Sequence, residues 1–120
     1  MLRMVMLLLV LTTSAHARLR AGQVPDPEIH AWFEAQHNVN GGWCCDISDG
    51  YILQDSEWRT GANGFEVEIR NVWHTIPANK MVDTNGGPNP TGSAVVWYNV
   101  FNRDGAESVT IYCFAPGTLY

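Results

Sequence analysis

Gly41-Gly42-Trp43-Cys44-Cys45-Asp46-Ile47-Ser48-Asp49-Gly50 is the stretch on which the chain changes character. A helical pattern runs up to it and strand patterns follow it. It holds two of the three cysteines and a pair of carboxylates. Glycine pairs of this kind stop a helix, because neither residue holds the helical backbone well.

Upstream, Asp26-Pro27-Glu28 reads as a helix start. Asp26 can accept from the first unpaired N–H groups, Pro27 suits the first helical position, and Glu28 complements the dipole. Ile29, Trp32, Phe33 and Gln36 follow at helical spacing, and the helix should end near His37-Asn38.

Downstream, residues 51–53 read as a short strand and residues 60–64 as a turn. Phe65, Val67 and Ile69 alternate with Glu66, Glu68 and Arg70, the pattern of a half-buried strand. A tight connection at Arg70-Asn71 leads into residues 72–76 and closes a hairpin, which sets Trp73 beside an outward Glu68. Residues 77–82 read as a single helical turn plugging a barrel end with Met81 or Val82. A loop over 83–93 precedes the most apolar strand, 94–101, and its turn at 102–105. The last strand covers 108–114, with Val109, Ile111 and Cys113 on one face. The expected fold is α+β, mainly β: one N-terminal helix, then a small antiparallel barrel or strongly bent sheet of about five strands. A plain two-layer sheet with a helix is the alternative.

The N-terminus has its own logic. Arg3 gives a positive start, residues 4–11 are all apolar, and Ala15-His16-Ala17 is a small-x-small site. That order is the layout of a secretory signal peptide over 1–17. The apolar run is far shorter than the about 20 residues that span a bilayer. Residues 18–25 then form a flexible mature N-terminus, 26–116 a single domain and 117–120 a tail. Cleavage leaves 120 − 17 = 103 residues and changes the net charge from −5 to −6, since Arg3 is lost. An acidic chain without a basic run disfavours nucleic acid and anionic membranes. The expected location is the periplasm or the exterior, with no membrane attachment after cleavage.

Three cysteines allow one bridge. Neighbouring residues of an extended chain point to opposite sides, so Cys44 and Cys45 do not both face Cys113. The expected disulfide joins Cys113 to Cys44 or to Cys45. A vicinal Cys44–Cys45 bridge is the strained rival. No Cys-x-x-Cys motif is present.

Candidate sites are few. His30, Glu34 and His37 share one sector of the expected helix, and Cys44 or Asp46 would complete a tetrahedral zinc site. A solvated flank explains the same spacing, so no cofactor is assigned. His74, among apolar neighbours, reads as a satisfied, half-buried histidine. Asp46, Ser48 and Asp49 faintly resemble a calcium loop, but Gly50 stands fifth and Tyr51 sixth, the wrong register. Turn formation explains these carboxylates. No Gly-x-Ser-x-Gly elbow is present, and nothing marks a catalytic set. Trp43, Trp58 and Trp73, with Asp46 and Asp49, are the candidate binding surface for a peptide or sugar. Core filling is the rival role for the tryptophans.

Trp32-Phe33, Cys44-Cys45-Asp46-x-Ser48-Asp49, Ile76-Pro77, Asn89-Pro90-Thr91-Gly92 and Cys113-Phe114 together resemble a family of small exported proteobacterial proteins of unassigned activity. The resemblance covers residues 32–114. It implies further cysteines in relatives at the positions of Gly50 and Trp97, hence a second bridge that this chain has lost. It implies no cofactor or partner.

The residues do not dictate a function. The first reading is a non-enzymatic, disulfide-stabilised exported domain that binds a protein or small ligand. A metal-binding or thiol-handling envelope protein is the alternative, and a small hydrolase a third with only generic residues behind it.

Overall fold

The computed structural model describes residues 26–45 and 48–117. Residues 1–25, where the signal peptide and mature N-terminus are expected, together with Asp46, Ile47 and residues 118–120, lie outside the described residues.

Helix α1 spans Pro27–Ala35. The Asp26 carboxylate accepts from the backbone N–H of Glu28 at 2.8 Å and of Ile29 at 3.4 Å, as its capping position demands. The helix stops at Ala35, earlier than expected. Gln36 is extended, and its side-chain amide donates back to the Trp32 carbonyl at 2.8 Å and to Gly86 O at 3.2 Å. An orphan carbonyl of the last turn is thereby satisfied without another helical residue. His37 consequently lies off the helix, bridged to Trp43.

Six strands follow. β1 is Asp49–Ile52, β2 Trp58–Gly61, β3 Gly64–Ile69, β4 Val72–Thr75, β5 Val95–Arg103 and β6 Ala106–Ala115. They form two three-stranded antiparallel sheets, ordered β1-β5-β6 and β2-β3-β4. The expectation of one barrel or bent sheet of about five strands is corrected. The strand that sequence reading missed is β2, whose last residues look like a turn. The β3–β4 hairpin closes through Arg70 and Asn71, both at positive φ (52° and 65°). That is the mirror-image two-residue turn whose twist suits paired strands.

The β1-β5-β6 sheet is the middle layer, with apolar residues on both faces. Val95, Trp97, Cys113 and Ala115 pack against Trp32 and Phe33 of α1. Val96 and Phe114 face the other way and pack against Trp58, Val67 and Ile69 of the second sheet. A near-continuous apolar strand of this kind is what a sheet covered on both sides needs.

One register shift divides the two faces of β6. Trp97 pairs with Cys113 while the next residue, Tyr98, pairs with Ile111. Tyr112 is therefore an extra residue, a β-bulge. Val109 and Ile111 pack with the second sheet, whereas Cys113 packs with the helix. The expectation that all three share a face fails at this bulge. The Tyr112 carbonyl accepts from the buried Asn38 side chain at 3.0 Å.

Residues 81 and 82 do not plug a barrel end. Met81 bridges Phe114 in parallel, and Val82 N donates to Phe114 O at 2.9 Å. Met81 joins the core between the sheets and Val82 the core under the helix, so the pair straddles the β6 edge.

The disulfide joins Cys44 to Cys113, with Cα atoms 5.5 Å apart and a sequence separation of 69. It ties the segment after α1 to the far strand of the middle sheet. On the chain-entropy model, a loop of this length contributes about 4 kcal/mol.

Candidate functional site

In β2, β3 and β4, register sorts the side chains. Trp58 pairs with Val67 and Val67 with His74, which sets these three on the side facing the middle sheet. Arg59 pairs with Glu66 and Glu66 with Thr75, and Glu68 pairs with Trp73. These five residues share the outer face, because side chains alternate along a strand.

On that face the Arg59 Nε donates to Glu66 Oε1 at 2.7 Å. The Arg59 guanidinium carbon also lies 3.8 Å from the centre of the Trp73 ring. A planar cation held by a carboxylate and stacked on an indole is an ordered surface feature. Trp73 and Glu68 are half-buried. Glu68 makes no ion pair among the described residues. It also lines a cleft of about 200 Å³ with Tyr51, Glu57, Arg70 and Tyr98, and the two tyrosine rings pack with centres 4.5 Å apart and planes tilted by 30°. The arrangement can hold a flat or aliphatic group on Trp73 with a donor or cation directed at Glu68.

The other expected surface residues separate. Trp58 is 9% exposed and packs in the core between the sheets, so it is removed from the binding surface. Trp43 is half-buried against the core under α1, its indole N–H donating to Glu34 O at 2.7 Å. Asp49 is exposed on β1 opposite Tyr98, away from the Trp73 face. Asp46 lies outside the described residues.

The metal set does not assemble. His30 and Glu34 approach within 3.6 Å, but His37 has left the helix and its Nδ1 sits 3.1 Å from Ala35 O. Among the described residues no group of three His, Cys, Asp or Glu side chains is placed to hold a metal. Cys45 is buried, and its thiol donates to Phe33 O at 3.2 Å. His74 is half-buried as expected, but its Nε2 has no partner among the described residues.

Several residues of the motifs quoted for the expected resemblance have structural roles. Trp32, Phe33, Cys44, Cys113 and Phe114 are core residues. Ser48 donates to Cys44 O. Asn89 accepts from Thr91 N and Thr91 Oγ1 and donates to Ser93 O and Pro116 O, closing the 89–93 loop onto the C-terminal strand. Arg59 was missed as a site residue. Its signal was the run Trp58-Arg59-Thr60, apolar then polar, which is the start of a half-buried strand.

No family model, curated protein or solved structure matches this chain.

Proposed function

We propose that the protein is a non-enzymatic, exported binding domain whose ligand seats on the outer face of the β2-β3-β4 sheet. The observation that carries this is Trp73, held under the Arg59 guanidinium and beside Glu68. A tryptophan on a sheet face that no other layer covers among the described residues, with ordered charges around it, is the composition of a recognition surface. The Cys44–Cys113 bridge supports an oxidising compartment, periplasmic or extracellular. The signal-peptide layout and the resemblance to small exported proteins support the same location. Among the described residues no helix is long and apolar enough to cross a membrane.

The test is affinity capture from native envelope extract on immobilised protein, with variants as controls. Wild-type protein and Asp49→Asn should retain the same species, and Trp73→Ala and Arg59→Ala should lose it. Equal retention by all four proteins overturns the assignment of the face.

A further inference from the structure

β4 is an edge strand, hydrogen-bonded to β3 alone within its sheet. Its outward edge follows from the hairpin. The two-residue turn makes Ile69 and Val72 a hydrogen-bonded pair, and such pairs recur every second residue. Ile76 N donating to Phe65 O at 2.8 Å keeps the same parity. Trp73 and Thr75 are thus the residues whose N–H and C=O groups point away from β3. Among the described residues no backbone hydrogen bond outside the strand ladders involves either residue. Pro77, two residues on, ends the strand.

The side chain that marks the binding face and the backbone groups that mark an open edge therefore belong to the same residue, Trp73. We infer that β4 takes up an extended segment of a partner protein as an added antiparallel strand, with a basic residue opposite Trp73. This rests on the reading of the outer face given above and specifies its ligand. Main-chain bonds to Trp73 and Thr75 supply the docking, and alternate side chains supply the selectivity. The basic residue is set by charge. The outer face carries Arg59 against Glu66 and Glu68, one cation against two carboxylates, and Glu68 has no ion-pair partner among the described residues. A lysine or arginine opposite Trp73 lays its aliphatic stem along the indole and brings its charge towards Glu68. The residues on either side of it fall on the inner face, beside the exposed Val72 and half-buried His74, and suit small apolar groups.

The probe is the blocked pentapeptide Thr-Val-Lys-Val-Thr, titrated against the full chain by isothermal calorimetry. In the antiparallel register its lysine N–H faces β4 and its valine N–H groups face away. Methylating the lysine backbone nitrogen should weaken binding at least about tenfold, while methylating both valine nitrogens should change it less than about threefold. Replacing the lysine by glutamate should weaken binding at least about fivefold. Thr75→Pro removes an outward N–H without breaking a β3–β4 bond and should match the tenfold loss. The peptide variants need no change to the protein, so misfolding does not confuse the result. No binding, or equal loss from either methylation pattern, overturns the strand-addition proposal. A dimer in sedimentation that Thr75→Pro dissociates also overturns it, by giving the edge to a second copy. Failure of the two readings is separable. Binding lost in Trp73→Ala but indifferent to methylation keeps the face and removes the strand. The methylation pattern without any Trp73 dependence keeps the edge and removes the face.

Discussion

Gly50 stands directly opposite Trp97 across the β1–β5 ladder, and its missing side chain is the space that the Phe33 ring fills. A Cβ at position 50 would overlap Phe33 and lie 3.0 Å from Trp97 Nε1. Phe33 and Trp97 are fully buried, with ring centres 5.3 Å apart. An aromatic contact from the helix occupies that space.

Gly50→Ala should therefore destabilise the fold by about 1–3 kcal/mol, the usual cost of overpacking a filled core. Phe33→Leu should cost stability in the wild-type background and less in Gly50→Ala, because the smaller side chain makes room for the methyl. Urea unfolding of the four proteins measures the coupling. Additive effects would place Phe33 elsewhere.

Cys44 and Cys113 close a loop with a sequence separation of 69. Cys113→Ser should lower the unfolding free energy by about 4 kcal/mol. Peptide mapping under non-reducing conditions should give one linked Cys44–Cys113 product. Cys45 is 3% exposed, so it should react with an alkylating agent after denaturation and not before.

Asn38 holds the loop between α1 and Cys44. Its Oδ1 accepts from Asn40 N at 3.0 Å and Gly42 N at 2.9 Å, and its Nδ2 donates to the bulge carbonyl of Tyr112. Asn38→Ala removes three part-buried hydrogen bonds and should cost about 1–3 kcal/mol. Hydrogen exchange should show the loss first at the amides of residues 40 and 42.

Arg59 is half-exposed, so its ion pair with Glu66 contributes little to stability, within about 1 kcal/mol. Arg59→Met should leave the unfolding midpoint nearly unchanged. It should still alter Trp73 fluorescence, because the cation leaves the indole face. A double-mutant cycle with Trp73→Phe isolates that contact.

Several of these features are legible in the residues. The alternation from Phe65 to Ile69 and the tight turn after it locate β3, β4 and the pairing of Glu68 with Trp73. The cysteine order indicates a clasp between the end of the helical segment and the last strand, but leaves Cys44 and Cys45 as equals. Three other features depend on contacts far apart in sequence. The early end of α1 depends on Gln36 reaching Gly86, 50 residues away. The face of Cys113 depends on the bulge at Tyr112, which a regular alternation does not show. Trp58 looks like Trp73 as an isolated aromatic, and only its packing against Phe114 of the middle sheet sends it inwards. The six strands form two sheets because the middle strands are apolar on both faces, which local pattern cannot distinguish from a barrel wall.

The central claim is that Trp73 meets the ligand while Trp32, Trp58 and Trp97 hold the core. Fluorine NMR of protein labelled with 5-fluorotryptophan tests it most directly, since the chain has five tryptophans and five assignable resonances. On adding the lysine pentapeptide, the resonance assigned to Trp73 through Trp73→Phe should move, and those of Trp32, Trp58 and Trp97 should hold still. Movement of the core resonances with Trp73 unchanged would contradict the account.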